Sequence, residues 1–543
     1  MSRIVDTIRH EAPGPDEGAG RRTGPRRTGD PDLGVVQYFH LGDRETVESV
    51  LAGLADLRVK NLRTAISWCD WMREGGEEWY GWLLPKLNER FDVLPCFLYT
   101  PPELGILPKT SSPPRDPQAY GEFVEMVLQR HAGEFPYVEL WNEPNNYIEW
   151  DWTIDPEWTI FAEMIAGAAG RAAGLGVKSV LGGMSPFDPN WLDLMFKRGA
   201  LEHVDVIGVH GFPGTWEAVW DGWDSHIGRV EEVVERHGGG QRIWVTEAGF
   251  STWAHDEFSQ LTTLTGLAEA PADRVYWYSV EDLAPERETL DGFHCDERAY
   301  HFGLQRRGGV PKLVRRVLGE RGLDGVREMV AFAAGGGGPS GERAGALVTG
   351  GAGFIGAALV DRIASSGTPV TILDSLAQPG SEENARRLKQ KHGDLVRLLV
   401  GDVRDVFAVR RALAHVDRVF HLAAQVSAAD SVLDPRKDLD VNVQGTMNVL
   451  EEARLVADSP AIVFASTTDV GDPSSPHACS KAAAERYVVE YANSFGLKTC
   501  ALRIDAVETA SEAADLVDAL LRASSDERAL TGQALDAAGT TVT

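Results

Sequence analysis

The sequence predicts an α/β protein of two domains: a (β/α)8 TIM barrel, then a doubly wound, Rossmann-like sheet. Three observations predict it. Short apolar runs alternate with amphipathic stretches along most of the chain, the pattern of parallel strands covered by helices. All fifteen tryptophans lie between Trp68 and Trp277, so the two halves are expected to differ in ancestry. Between them AAGGGGPSGERAG (333–345) carries four consecutive glycines, then Pro and Ser, which cannot pack and read as a flexible linker.

Taken in order, residues 1–32 include RRTGPRRTGD, which has no periodicity and reads as a disordered tail. The barrel is placed at 33–332. Its eight strand candidates are GVVQYFH (34–40), LRTAISW (62–68), VLPCFLY (93–99), YVELW (137–141), SVLGGM (179–184), VDVIGVH (204–210), RIWVTEAG (242–249) and RVYWYSV (274–280). Amphipathic stretches such as YGEFVEMVLQRHA (120–132) and IFAEMIAGAAGRAAGLG (160–176) supply helices between them. Eight units in about 270 residues is the arithmetic of a TIM barrel. The pattern restarts over 346–543 with ALVTGGAGFIG (346–356), PVTILD (369–374), LVRLLVGD (395–402), RVFHLAA (418–424), AIVFAS (461–466) and TCALRI (499–504). That is an open, doubly wound domain of about 200 residues. The glycine linker makes the halves separable unless a large apolar interface joins them.

Composition narrows the function. With 543 residues, 43% of them hydrophobic and 25% charged, the chain is too apolar for wholesale disorder. A net charge of −28 argues against nucleic-acid and anionic-membrane partners, whose phosphates would be repelled. There is no apolar run long enough for a membrane span. The N-terminus lacks the apolar core of about 7–15 residues that a signal peptide needs. Five scattered cysteines suggest a reducing compartment, with neither a disulfide framework nor a metal site. A cytoplasmic location is expected.

In the first half, VELWNEPNN places Glu143 just past the fourth strand and IWVTEAGF places Glu247 at the end of the seventh. Active-site groups of such barrels sit at the carboxyl ends of strands, and these two strands face each other across the mouth. Two carboxylates there can flank a bond; in a retaining glycosidase they stand roughly 5–5.5 Å apart. The words N-E-P and T-E-x-G, 104 residues apart, resemble the clan-A glycoside hydrolases, with β-xylosidase-like members nearest. The resemblance runs over about 34–320 and includes YHFGLQRRGGVPKLVRRVL as the closing helix. It implies Glu143 as general acid/base and Glu247 as nucleophile. It also implies Asn142 on a sugar 2-hydroxyl, Arg63 holding the nucleophile ionised, and His210 and Trp277 as lining residues. Phe212 stands where a tyrosine often follows, so a hydrogen bond to the nucleophile is expected to be missing or supplied elsewhere. Tryptophan suits the flat face of a sugar, although most single tryptophans are core residues.

In the second half, TGGAGFIG follows a strand and opens a helix. Gly351, Gly353 and Gly356 fit G-x-G-x-x-G, with Gly350 before them and Phe354 and Ile355 inside the turn. Such a turn lets backbone approach a pyrophosphate at a helix N-terminus. Asp374 ends the next strand, placed for ribose hydroxyls, and favours NAD over the phosphorylated cofactor. Together with GDVRD (401–405), HLAAQ (421–425), NVQGT (442–446), VFASTT (463–468) and SPHACSK (475–481), it resembles the extended short-chain dehydrogenase/reductases, the sugar-nucleotide epimerases and dehydratases. The resemblance implies Asp402 and Val403 at the adenine, Ala423 and Ala424 along the cofactor, and Lys481 at the nicotinamide ribose. The Y-x-x-x-K motif of that family reads H-A-C-S-K here, with His477 in the tyrosine's place and Thr467 or Thr468 filling the Ser/Thr position. ALRIDAVETASEAADLVDALL passes straight into a helix, without the substrate lobe of the family.

The expected function is therefore a retaining glycosidase, acting on a small β-glycoside or sugar conjugate and fused to a degenerate NAD-binding domain. One alternative is a bifunctional NAD-dependent nucleotide-sugar epimerase/dehydratase with the barrel as accessory. Another is a non-catalytic scaffold or NAD(H) sensor. A homodimer through the second domain is the expected assembly.

Overall fold

The computed structural model describes residues 30–542 apart from 56, 58, 286–295, 335–344, 472, 506 and 508. Most of the expected tail and of the glycine linker lies outside the described residues. In the first half eight strands close into a barrel in sequence order: β1 (Asp32–Val36), β2 (Asn61–Ser67), β3 (Asp92–Leu98), β4 (Tyr137–Leu140), β5 (Lys178–Met184), β6 (Val206–Gly211), β7 (Arg242–Ala248) and β8 (Arg274–Tyr278). Every neighbouring pair is parallel, β1 closing on β8. Parallel strands are covered on both faces, which is why these segments read as near-continuous apolar runs. All six residues of β6, VIGVHG, are buried.

A helix follows each strand: α1 (Arg44–Leu54), α2 (Gly76–Asn88), α3 (Pro117–Arg130), α4 (Thr159–Gly174), α5 (Pro189–Lys197), α6 (Trp223–Arg236), α7 (Glu257–Ala268) and α8 (Leu313–Ala334). Their starts are written locally. Asp116 and Asp188 each accept a backbone N–H of the first turn, and proline takes the first helical position where no N–H is needed. The tryptophans serve mainly the core. Trp141, Trp150, Trp244 and Trp277 are among the largest fully buried side chains, while Trp152, Trp216 and Trp253 are exposed.

The predicted first strand (34–40) ends early. Beyond Val36 the chain leaves the ladder, and Gln37 and Tyr38 turn to polar partners: Gln37 Oε1 accepts from Glu281 N at 3.3 Å, and the Tyr38 hydroxyl donates to Glu247.

The second half is a seven-stranded parallel sheet: β9 (Ala346–Thr349), β10 (Val370–Asp374), β11 (Val396–Val400), β12 (Arg418–His421), β13 (Ala461–Thr467), β14 (Thr499–Ile504) and β15 (Gln533–Leu535). Its order is β11-β10-β9-β12-β13-β14-β15, so the strand order reverses beside β9. Open α/β sheets bind ligands at such a switch point, outside the carboxyl ends of the strands. Helices α9 (Phe354–Ser365), α10 (Ser381–His392), α11 (Val406–Ala412), α12 (Gly445–Leu455), α13 (Pro476–Phe495) and α14 (Ala510–Ser525) cover it.

Helix α8 joins the two halves. One buried apolar cluster contains Val314, Val326 and Met329 of α8 together with Val348, Ile372 and Leu398 of the second sheet. Polar contacts rim it. Arg316 donates to Leu376 O at 2.9 Å, Arg321 binds Glu382 through two nitrogens at 2.8 and 3.0 Å, and Arg386 lies 4.6 Å over the Phe332 ring. A shared apolar core makes unfolding of the halves cooperative. Calorimetry of the full chain should therefore give one transition. Met329→Ala, which removes a fully buried side chain, should destabilise it by about 2–5 kcal/mol. Two resolved transitions, with only one moved by the substitution, would show independent halves.

Candidate functional sites

The barrel mouth is built around one buried cation. Arg63, on β2, is fully buried; it donates through Nε to Glu139 of β4 and through one terminal nitrogen to Glu247 of β7 and to the Tyr38 hydroxyl. Its other terminal nitrogen reaches Asn142 Oδ1 at 2.8 Å. Tyr38 also donates to Glu247. The hydroxyl that Phe212 cannot supply therefore comes from Tyr38, just beyond β1. His210 stands between the two glutamates, Nδ1 at 3.0 Å from Glu143 Oε1 and 3.9 Å from Glu247 Oε2, with Nε2 on Thr246. One ligand atom from each of Glu143, His210 and Glu247 lies within 4.8 Å of the others. The trio has the spacing of a cation site, but Glu247 already shares the Arg63 guanidinium with Glu139.

The electrostatics separate the carboxyl groups. Burial raises Glu143 to about 6, against its hydrogen bond from Asn146, and burial brings His210 down to about 4 against the pull of Glu247. Burial also lifts Glu149 well above the carboxylate range; among the described residues only one of its oxygens is hydrogen-bonded, to Asn142 at 3.3 Å and Tyr99 at 3.5 Å. Asn142 is thus held between Arg63 and Glu149 rather than left open to a ligand. Trp277 is 1% exposed and belongs to the core cluster, not to an open wall. The sequence reading missed Tyr38 and Glu149. Neither sits in a recognisable word, and only barrel closure brings Tyr38 to Glu247, 209 residues away.

In the second domain the glycine turn forms at the end of β9, the strand beside the switch point. Gly350 has φ +69°, and a Cβ there would stand 2.8 Å from Ala423 N; a Cβ on Gly356 would stand 2.1 Å from Gly350 O. Backbone alone therefore fits, as close approach to a pyrophosphate requires. Gly353 opens α9 with no side-chain cap, and its Cβ position and that of Gly351 also crowd the turn. The first N–H groups of α9 thus remain available to an anion. Phe354 is exposed and Ile355 half-buried at the start of that helix.

Asp374 is buried and accepts from Ala352 N at 3.0 Å and Leu376 N at 2.8 Å, tying the glycine turn to the following loop. Arg404 binds both oxygens of Asp402, at 3.0 and 2.8 Å, and holds it ionised against burial. Val403 is buried against Gly445, and Asn448 fixes its carbonyl at 3.0 Å. Ala423 N donates to Thr349 Oγ1 at 3.2 Å, and Ala424 follows it, half-buried. Lys481 is buried, its ammonium on Ala465 O and 4.1 Å from the Phe464 ring centre; burial lowers it to about 7. Thr468 is engaged by Asp505 at 2.7 Å, leaving Thr467 as the freer hydroxyl at the end of β13. Only residues 505–509 separate β14 from α14, so no substrate lobe is inserted there.

Comparison with known proteins falls on this half. The profile of the NAD dependent epimerase/dehydratase family matches residues 346–533. The chain is 32% identical over 189 residues to CDP-paratose 2-epimerase of Salmonella typhi, covering 29% of this chain and 55% of that protein. It is 35% identical over 171 residues to dTDP-glucose 4,6-dehydratase of Mycolicibacterium smegmatis, covering 28% and 50%. Against the solved UDP-glucose 4-epimerase of Thermus thermophilus, a complex with NAD, it is 39% identical with a TM-score of 0.26, covering 29% and 54%. The chain spans about half the length of these relatives.

The retaining glycoside hydrolase reading is overturned as the activity of this chain, because the similarities lie on epimerases and dehydratases. The words N-E-P and T-E-x-G had reported only that carboxylates emerge at the carboxyl ends of parallel strands, where such barrels present polar groups whatever their chemistry. The reading of the second half as a degenerate appendage falls with it. The alternative, an NAD-dependent nucleotide-sugar epimerase/dehydratase with a barrel attached, is the one the comparisons favour. Over residues 346–533 the chain is thus similar to the NAD dependent epimerase/dehydratase family, and its C-terminal domain is a Rossmann-like sheet of the NAD-binding kind.

Two outcomes follow from the barrel mouth. Arg63→Met leaves Glu139 and Glu247 buried without their cation and should cost about 3–5 kcal/mol in chemical denaturation; a loss below about 1 kcal/mol would refute the central role of Arg63. The folded state holds the Glu143 proton more tightly than the unfolded chain does. Its contribution to stability is thus full below the usual value near 4.5 and is lost as pH rises through about 6. Glu143→Gln should remove that part of the pH dependence and a carboxyl band titrating near pH 6 in difference infrared spectra.

Proposed function

We propose that this protein is an NAD-dependent enzyme of nucleotide-linked sugars, of the epimerase/dehydratase type, working at the carboxyl edge of the C-terminal sheet. The observation that carries the reading is the turn at Gly350–Gly356, whose glycine positions are too crowded for a Cβ and which lies at the switch point before an uncapped helix N-terminus. NAD fits these residues. Gly350, Gly351, Gly353, Phe354, Ile355 and Gly356 would take the pyrophosphate, Asp374 the adenosine ribose, Asp402 and Val403 the adenine. Ala423, Ala424 and Lys481 would line the nicotinamide half. When bound, the dinucleotide supplies hydride transfer. The chain's own part is to orient the sugar, exclude water and move a hydroxyl proton at the edge formed by Thr467, His477 and Lys481.

In this reading the domains are 33–332 and 346–543. The first is a TIM barrel by its eight parallel strand–helix units, and serves as an accessory domain whose mouth gathers Glu143, Glu247, His210 and Arg63. The substrate is a sugar conjugate carrying a nucleoside diphosphate, and the compartment is the cytoplasm. One observation favours a second reading, an NAD(H) sensor without turnover: the 505–509 connection is too short to hold a substrate lobe.

Titration of the full chain with NAD, followed by calorimetry, should give saturable binding that Gly356→Val abolishes. Incubation with UDP-, CDP- and dTDP-hexoses should yield epimerised or dehydrated sugar, detected by proton NMR. Binding without any conversion would establish the sensor instead, and absence of binding would refute both.

A further inference from the structure

Next to the proposed cofactor site lies a buried carboxylate with one oxygen left over. Asp438, on the short helix Pro435–Leu439, is 1% exposed, and its Oδ2 has no hydrogen-bond partner among the described residues. An unpaired carboxylate oxygen is costly to bury, and proteins retain one where a partner group needs it. The facing group is His477, in the first turn of α13, with Nδ1 at 3.5 Å from Asp438 Oδ1.

Asn442 bears on which way the imidazole is used. Its amide nitrogen lies 2.9 Å from Ser480 Oγ, 3.0 Å from Asp438 Oδ1 and 3.4 Å from Gln425 O, and its two hydrogens serve the two shortest of these contacts. The longer approach of its nitrogen to His477 Nδ1, at 3.5 Å, is then left without a hydrogen. With its proton on Nδ1, the imidazole faces the Asp438 carboxylate 3.5 Å away. Nε2 has no hydrogen-bond partner among the described residues, and the side chain is 15% exposed. The backbone N–H of His477 rests on Ser431 Oγ at 3.2 Å, which fixes the start of the helix.

Lys481 lies one turn further along the same face of α13. The charges around the imidazole are thus Asp438 from the short helix and Lys481 from its own helix. Glu485, beyond them, is matched by Arg503 at 2.7 Å.

We propose that His477 and Asp438 form the acid–base pair of the second domain, Asp438 holding the Nδ1 proton so that Nε2 exchanges a proton with a hydroxyl of the sugar. The pair rests on the epimerase/dehydratase reading above. In the forward step the O–H bond of the sugar breaks and an N–H bond forms at Nε2. The oxygen's electron pair becomes the second bond of a carbonyl as the C–H pair leaves as hydride to the oxidised nicotinamide. The sugar is oxidised, the nicotinamide is reduced, and the imidazolium is stabilised by the Asp438 carboxylate. A lone neutral imidazole would do this poorly; an oriented one beside a carboxylate does it well. A gap of 3.5 Å is long for such a pair, but base–orienter contacts commonly tighten once substrate is bound. Asp438 is a positioning residue, and His477 is the group that meets the substrate.

The test uses the full chain labelled with 15N-histidine and saturated with NAD. His477 resonances, assigned by their loss in His477→Gln, should report the proton on Nδ1 at neutral pH. Asp438→Asn should shift it toward Nε2. A wild-type proton on Nε2, or no change in a folded Asp438→Asn variant, overturns the pair. If that variant does not fold, the wild-type tautomer alone decides. On a nucleotide sugar that the chain converts, His477→Gln should lower kcat by about 100-fold or more while the Kd for NAD changes less than about twofold. Asp438→Asn should lower kcat with KM little altered; wild-type kcat in either variant overturns the assignment. If NAD binds and no nucleotide sugar is converted, the functional reading fails while the tautomer still decides the pair.

Discussion

Parallel strands impose the constraint from which both halves follow. A parallel ladder needs a crossover helix after every strand, and those helices bury both faces of the sheet. Polar groups then have one place to emerge, the carboxyl ends, where strand gives way to loop. In the barrel this gathers Arg63, Glu139, Asn142, Glu143, His210 and Glu247 at one mouth. In the open sheet it gathers the glycine turn after β9, Asp374 after β10, Asp402 after β11 and Thr467 at the end of β13. The two sites have unrelated chemistry and the same architectural cause.

At each site a buried charge organises its neighbours. Arg63 ties together β1, β2, β4 and β7 through Tyr38, Glu139, Asn142 and Glu247. With Glu247 paired to Arg63, burial acts on Glu143 and Glu149, which keep their protons to higher pH. In the second domain Lys481 and Asp438 are both buried; Lys481 donates to Ala465 O, while Asp438 Oδ2 has no hydrogen-bond partner among the described residues. A histidine beside such a carboxylate is a different reagent from a histidine alone. The substitution in H-A-C-S-K, taken by itself, suggested a damaged site; with Asp438 beside it, the imidazole has an orienting group.

The fusion is more than a tether. Helix α8 closes the barrel and also belongs to the apolar cluster that reaches the second sheet. Arg316 of that helix holds Leu376 O, two residues beyond Asp374, while Asp374 itself ties that loop to the glycine turn. The barrel's last helix thus buttresses the loop on which the adenosine end of a dinucleotide would lie.

The sequence by itself determined the alternation of elements in both domains. Period-two and apolar-run signals, caps such as Asp116 and Asp188, and glycine turns are local, and local physics writes them in the order of the residues. Each of the eight predicted barrel strands overlaps an observed one, and the chain positions of Glu143, Glu247 and the glycine turn were legible for the same reason. What each polar residue touches was not legible. Tyr38 meets Glu247 only because the barrel closes, Asp438 meets His477 only because two helices pack side by side, and α8 meets the second sheet across a segment that reads as a free linker. The words N-E-P and T-E-x-G suggested a reaction that the similarities of the chain do not support, because a motif of three or four residues records where a carboxylate emerges. Partners, burial and charge balance give that carboxylate its chemistry, and these are set by contacts between residues up to 209 positions apart, which only the tertiary structure decides.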